Sequence, residues 1–218
     1  MTRRQSLHFL VLAVLGFSLG CAPLIEKPLS PGSFDDLPFC FAIFPAEPWE
    51  SVHKIETASQ GKAFPTLLGV TQGDPTARGL HSFLLTPEGF ILFESELRQG
   101  KVRTLKAVPP FDWPAFAKGL MEDVALLFLS PEGKPASWGR RDDGSQTCLW
   151  KGPGGGRTEI QGSMDRGWRI LHRDDQGDAT REVLLKGPFV HGLAAQMELQ
   201  AFKPAPYRLR MTLIQATP

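Results

Sequence analysis

The chain has 218 residues, of which 42% are hydrophobic and 22% are charged, and its 24 Lys and Arg nearly balance 23 Asp and Glu. This apolar share is typical of a globular protein and excludes a disordered chain. The net charge of +1 lacks the basic excess with which nucleic-acid-binding proteins neutralise phosphates, so we expect no nucleic-acid partner. The length is sufficient for one domain that buries its own core.

The N-terminal residues have the pattern of an export signal. Arg3 and Arg4 precede an apolar run from Leu7 to Phe17, which is shorter than the ~20 residues that a membrane-spanning helix needs. Ser18-Leu19-Gly20-Cys21 then resembles a bacterial lipobox, in which the signal is cut before the cysteine and that cysteine is acylated. Ser18 departs from the pattern, which prefers Leu there. The alternative is an ordinary signal peptide in which Cys21 has no role.

These features divide the chain into three parts. We expect a lipoprotein signal peptide over residues 1–20, the acylated Cys21 with a flexible tether over residues 21–35, and a single β-rich domain over residues 36–218. The pair Arg3-Arg4 also resembles a twin-arginine export motif, although paired arginines are common in ordinary signals. The acyl chains would hold the protein on a membrane, because each buried CH₂ contributes ~0.8 kcal/mol.

Two further cysteines, Cys40 and Cys148, are left once Cys21 is assigned to the anchor. An even pair in an oxidising compartment is consistent with a disulfide. Both residues also lie next to aromatic side chains, which is equally consistent with two buried free thiols. The sequence leaves these two states open.

Turn residues at nearly regular intervals separate short β-like runs from residue 51 onwards. Thr86-Pro87-Glu88-Gly89 has the composition of a hairpin turn, and Tyr207–Leu213 alternates apolar with polar residues, as a strand with one buried face does. The segment Gly192–Phe202 fits either a helix or a strand. The predicted strands are Ser51–Ala58, Phe64–Thr71, Leu80–Thr86, Gly89–Glu96, Val102–Val108, Gln146–Lys151, Arg157–Ser163, Gly167–His172, Thr180–Leu185 and Tyr207–Leu213.

One segment has a helical period instead. Large apolar residues recur every three or four positions from Trp113 to Phe128, which predicts an amphipathic helix. Asp112 is placed to cap its start, Pro114 lies in the first turn, and Ser130-Pro131 ends it.

No group of residues has the spacing of a catalytic or metal site. The histidines have no metal-ligand spacing. Glu94 and Glu96 share one strand face, as an acid/base pair would, but two solvated charges at a hairpin end are the ordinary outcome. We therefore expect no enzyme activity and no cofactor, and an envelope hydrolase would lack both nucleophile and base.

Leu68-Gly69-Val70-Thr71 and Leu84-Leu85-Thr86-Pro87-Glu88-Gly89-Phe90 resemble an uncharacterised family of outer-membrane lipoproteins that is similar to the lipoprotein-localisation (LolA/LolB-like) factors. The resemblance implies a mainly β (α+β) fold: an antiparallel curved sheet, or incomplete β-barrel, with one amphipathic helix covering its concave face. It also implies a lipid-anchored protein of the outer membrane whose domain faces the periplasm, since Ala22 rather than Asp follows Cys21.

Two functions are compatible with such a fold. The first is a carrier that binds an acyl chain, another lipid or a lipoprotein in an apolar groove. The second is a structural or interaction lipoprotein with a filled core and no ligand. For the first, the helix period places the groove between the helix and the hairpin formed by Leu80–Thr86 and Gly89–Glu96. The candidate lining residues are Phe83, Leu85, Ile91, Phe93, Trp113, Phe116, Leu120, Val124 and Phe128, with Met121 on the same helix stripe.

Overall fold

The computed structural model describes residues 30–31, 39–152 and 154–218. The predicted signal peptide, Cys21 and most of the predicted tether lie outside the described residues. Within these ranges, no helix has both the length and the apolar character needed to cross a membrane.

The described residues form fourteen strands and one α-helix. Their bounds are β1 Ser30–Pro31, β2 Trp49–Ser59, β3 Lys62–Ala63, β4 Leu67–Asp74, β5 Gly79–Leu85, β6 Ile91–Arg98, β7 Lys101–Ala107, α1 Pro114–Phe128, β8 Ser137–Arg140, β9 Gln146–Lys151, β10 Arg157–Ser163, β11 Gly167–Arg173, β12 Ala179–Val190, β13 Leu193–Ala201 and β14 Tyr207–Thr217. The ambiguous segment Gly192–Phe202 is thus a strand, and the short β1, β3 and β8 have no counterpart among the predicted strands.

The strands form one antiparallel sheet in the order β1-β8-β9-β10-β11-β12-β13-β14-β2-β4-β5-β6-β7, and β3 pairs with β2 outside this order. Most neighbouring strands are consecutive in the chain. Two pairings join strands that are far apart in sequence: β1 pairs with β8, and β14 pairs with β2 and so joins the two halves of the sheet. The sheet is curved and unclosed, with β1 and β7 at the ends of the described order. The predicted fold class is confirmed.

Alternating side chains give the sheet one strongly buried face. Cys148, Ile160, Ile170, Val183 and Leu199 are neighbours in register from β9 to β13, and all are at most 1% exposed. Because residues in register point to the same side of a sheet, this row lines the concave face. Apolar side chains therefore hold this half of the sheet together.

A turn between residues 39 and 44 covers that half. Cys40 forms a disulfide with Cys148 at a Cα–Cα distance of 6.0 Å. The rings of Phe41 and Trp150 lie 5.9 Å apart, edge to face. In the chain-entropy account, a cross-link that closes a loop of 108 residues contributes ~4–5 kcal/mol. The disulfide thus fastens the N-terminal turn to the centre of its sheet half.

Helix α1 covers the other half. Its last residue, Phe128, packs with its ring centroid 5.0 Å from that of Trp49 and 5.5 Å from that of His53 on β2. The predicted cap is wrong, because Trp113 rather than Asp112 occupies the N-cap position and makes no side-chain capping bond. The physical reason is Pro114 at the first helical position, which biases the residue before it towards extended backbone.

Candidate functional site

A cavity of about 430 Å³ lies between α1 and the edge of the sheet formed by β6 and β7. We call this cavity the α1 groove. Its lining residues are Leu97, Gly100, Val102, Thr104, Pro114, Ala117, Lys118, Met121, Glu122 and Ala125. The volume falls within the range of about 300–1,000 Å³ typical of small-molecule sites.

The spacing of residues on α1 explains why a space remains there. Ala117, Met121 and Ala125 are four residues apart and share one helix face. Two of the three are alanines, whose small side chains do not fill the distance to β7. Met121 is fully buried, and its flexible thioether adapts to differently shaped neighbours. The helix thus offers the groove an apolar and adaptable wall.

The mouth of the groove is polar. Lys118 and Glu122 lie one helical turn apart with Nζ and Oε1 separated by 3.8 Å, and both side chains are exposed. An exposed pair of this kind contributes little stability. A ligand with an apolar chain and a polar end would meet apolar side chains inside and solvated charges of both signs at the rim.

Five of the predicted groove residues belong to the packed core instead. Phe93 is fully buried and its ring lies 5.3 Å from that of Phe116. Val124 and Phe128 are buried on α1, and the partly buried Leu120 packs against the same core. These residues fill the space between the helix and the sheet, and none of them lines the α1 groove.

The other predicted residues lie elsewhere. Trp113 is 56% exposed at the start of the helix. Phe83 is on the opposite face of the sheet from the helix, contrary to the prediction, and its ring lies 4.3 Å from that of His81. Leu85 and Ile91 pair with each other beside a bulge and are only partly buried. The β5–β6 hairpin has apolar residues on both faces, so the alternation of apolar and polar residues could not identify the face that is buried.

Sequence reasoning missed most of the α1 groove. Of its lining residues, only Ala117 and Met121 belong to the predicted apolar stripe of the helix. The wall from β6 and β7 includes Leu97, Val102 and Thr104. β7 has few apolar residues, so its sequence did not indicate that it lines a groove. A helix lying against an edge strand could have been found only from the pairing order, which places β7 at the end of the sheet.

A buried ion pair connects α1 to the far half of the sheet. Arg181 on β12 donates from Nε to Oδ1 of Asp123 at 2.6 Å, and the hydroxyl of Tyr207 on β14 donates to the same carboxylate. Burial raises the pKa of Asp123, and the positive charge of Arg181 opposes that shift. We call these three residues the α1 clamp. They connect the middle of the helix to β12 and β14.

A row of hydroxyl side chains crosses the concave face beneath the helix. Ser51, Thr71, Ser82 and Ser95 are neighbours in register from β2 to β6, and all four are buried. Ser82 donates to Thr71 at 3.4 Å, and Ser95 donates to the carbonyl of Arg103 at 3.0 Å. Short polar side chains give Phe128 room to enter this face.

The carboxylates considered for acid/base chemistry contact basic side chains. Glu94 contacts Nε2 of His81 at 2.9 Å, and Glu96 contacts Arg103 at 3.0 Å and Arg98 at 3.4 Å. They lie on the face opposite the helix. Within the part of the chain that the structure describes, no three His, Cys, Asp or Glu side chains come together as a metal site would require.

The comparisons with known proteins concern the fold. No protein-family model matches the sequence. No curated protein matches it either. Among solved structures, the chain is similar to a LolA superfamily protein from Nitrosomonas europaea, with a TM-score of 0.50 and 6% identity over 80% of this chain and 87% of that one.

Two further structures are similar at lower scores. One is a DUF1329 family protein from Desulfovibrio piger, with a TM-score of 0.49 and 11% identity over 84% of this chain and 90% of that one. The other is an outer membrane lipoprotein-sorting protein domain from Vibrio parahaemolyticus, with a TM-score of 0.45 and 6% identity over 83% and 89% of the two chains. The pairing order and the Nitrosomonas structure together show that this chain has the fold of the LolA superfamily.

Proposed function

We propose that the protein is a cell-envelope lipoprotein that holds an acyl chain, alone or as part of a lipid or lipoprotein, in the α1 groove. The observation that carries this proposal is the cavity of about 430 Å³ with Leu97, Val102 and Met121 in its wall. Burying a flexible hydrocarbon chain there is favourable by ~0.8 kcal/mol per CH₂. The charged pair at the mouth leaves a polar end in water.

The anchor and the location rest on the sequence. The lipobox-like Ser18-Leu19-Gly20-Cys21 supports acylation of Cys21, and the lipoprotein family that the sequence resembles supports an outer-membrane location with the domain facing the periplasm. The membrane is then the first partner of the protein, through its N-terminal acyl chains.

A substitution that fills the groove tests directly whether the ligand binds there. Ala125 lines the cavity and is partly buried, so the indole of Ala125→Trp would occupy the space of the ligand. We expect this variant to bind a fluorescent fatty acid at least about tenfold more weakly, a loss of ~1.4 kcal/mol. Ala115→Trp is the matched control, because Ala115 is exposed on the same helix and does not line the groove.

A structural lipoprotein without a ligand is the second candidate. It is favoured by the close cover of the concave face, where Cys40 and Phe128 are at most 1% exposed. The same titration separates the two functions. If neither the unmodified protein nor Ala115→Trp binds the fatty acid, the carrier function is wrong and the structural function stands.

The anchor has its own test. With Cys21→Ser, we expect the protein to remain unprocessed or to enter the soluble fraction, because the acyl chains that hold it are absent. Cell fractionation and the mass of the N-terminal peptide measure both. A Cys21→Ser protein that is cut at the same site and stays wholly with membranes would refute the lipobox interpretation.

A further inference from the structure

A second cavity, of about 300 Å³, lies beside the β10–β11 turn and the neighbouring part of β12. We propose that it binds a phosphate group, such as that of a phospholipid headgroup. Its wall includes Arg166, Arg169 and Lys186 together with the backbone of Gly162 and Gly167. We call it the cationic cavity.

Two glycines let the backbone pack closely in the wall of the cavity. A Cβ atom on Gly167 would lie 2.5 Å from the carbonyl oxygen of Leu185, and a Cβ on Gly162 would collide with the backbone of Gly167 and Trp168. Gly167 also has a φ of +86°, which favours glycine. Both positions therefore need glycine, because neighbouring backbone already occupies the space that a side chain would take.

The charge of the wall is positive. Arg169 is paired with Glu182 at 2.5 Å, and Arg166 approaches Asp143 only to 3.9 Å. Lys186 makes no ion pair within the described residues, and no carboxylate lines the cavity. Arg166 also donates from Nη2 to the backbone carbonyl of Asp143 at 2.9 Å, which leaves its positive charge without a close carboxylate. Lys186 and Arg166 are thus the two cationic side chains of the wall that no carboxylate contacts closely. Arg and Lys at such positions bind phosphate oxygens through charge-assisted hydrogen bonds.

Neutral polar side chains complete the wall. Gln161 and Ser145 are joined by a hydrogen bond of 3.0 Å, and both line the cavity. Gln161 pairs in register with Arg169, and Arg169 with Leu184, so these side chains share one face of the sheet. Their amide and hydroxyl groups can donate hydrogen bonds to phosphate oxygens.

The position of β1 relates the cavity to the membrane, and this step rests on the proposed anchor at Cys21. Ser30 pairs with Arg140, Arg140 with Gln146, and Gln146 with Gly162. Three strand spacings separate Ser30 from the cavity, or about 14 Å. The nine residues from Cys21 to Ser30 span at most ~30 Å when extended. An acylated Cys21 therefore keeps the cationic cavity within reach of headgroups.

The first experiment measures sedimentation of the full chain with vesicles of phosphatidylcholine, with and without phosphatidylglycerol. Lys186→Gln combined with Arg166→Gln removes two charges from the cavity. We expect about 25-fold weaker binding to the anionic vesicles, since each Lys or Arg at a membrane surface contributes about fivefold. The matched control is Lys101→Gln combined with Arg98→Gln, which removes the same charge at the β6–β7 turn and should change binding by less than about twofold.

The second experiment titrates inorganic phosphate, with chloride at equal ionic strength as the reference, and follows the NMR signals of the backbone amides of Gly162, Gly167 and Trp168. Saturable shifts in the unmodified protein that are lost in the variant with Lys186→Gln and Arg166→Gln (the cavity variant), together with weaker vesicle binding by that variant, identify a lipid headgroup. The same shifts with unchanged vesicle binding identify a soluble phosphate compound. If phosphate shifts none of these signals and both double variants bind vesicles equally, the proposal is wrong. Fatty-acid binding in the α1 groove should be unchanged in the cavity variant, so the two proposals fail separately.

Discussion

His53 lies on the concave face of β2 beside the ring of Phe128, and its side chain is fully buried. Neither ring nitrogen has a hydrogen-bond partner within the described residues. Burial lowers the pKa of His53 to about 4, because the charged imidazolium loses its water. The ring is therefore neutral in the folded protein at neutral pH.

This buried ring makes stability depend on pH. The unfolded chain binds a proton at His53 below about pH 6.5, whereas the folded chain does so only near pH 4, so stability falls as the pH drops through this window. Between pH 7 and pH 4.5 we expect His53 to account for a loss of ~2–3 kcal/mol. Denaturant titrations at both pH values should show a smaller loss for His53→Leu. An equal loss in the two proteins would contradict the assignment.

At the scale of single elements, α1 depends on the α1 clamp as well as on its apolar face. Arg181 and Asp123 form an ion pair whose side chains are 12% and 3% exposed. Asp123 lies on the same helix as the groove residues Ala117 and Met121. A change that loosens the clamp is therefore expected to alter how the helix closes over the concave face.

Asp123→Asn should destabilise the protein by ~3–5 kcal/mol, because it leaves the buried guanidinium of Arg181 without a negative partner. Asp123→Leu combined with Arg181→Met removes both charges and should recover most of that loss. Denaturant titration of the two variants measures the difference. A cost below ~1 kcal/mol for Asp123→Asn, or no recovery in the double variant, would show that the pair does not hold the helix.

The elements differ in how much their local sequence revealed. Alternation and turn residues predicted most strands within a few residues, and the helical period predicted α1. The predicted N-cap was wrong because Pro114 biases the backbone of Trp113 towards the extended conformation, so that Trp113 rather than Asp112 precedes the helix. The predicted orientation of the β5–β6 hairpin was wrong because Phe83 and Leu84 are both apolar. Only packing against the helix determines which of them faces the core.

At the scale of the whole molecule, two different elements close the two halves of one sheet. The turn that contains Cys40 covers β9 to β13, and α1 covers β2 and β4 to β7. Local pattern could not reveal this division, because it depends on β14 pairing with β2 across a long sequence separation. The α1 groove is a consequence of that arrangement, since the helix meets the sheet where β7 has no further described neighbour.

The binding of an acyl chain in the α1 groove is the central claim, and a spin-labelled fatty acid tests it most directly. In the methyl-labelled protein, we expect selective broadening of the NMR signals of Leu97, Val102 and Met121, which line the groove. Leu171, which is buried on β11 in the other half of the sheet, should keep its line width. Uniform broadening, or broadening confined to residues outside the groove, would contradict the account.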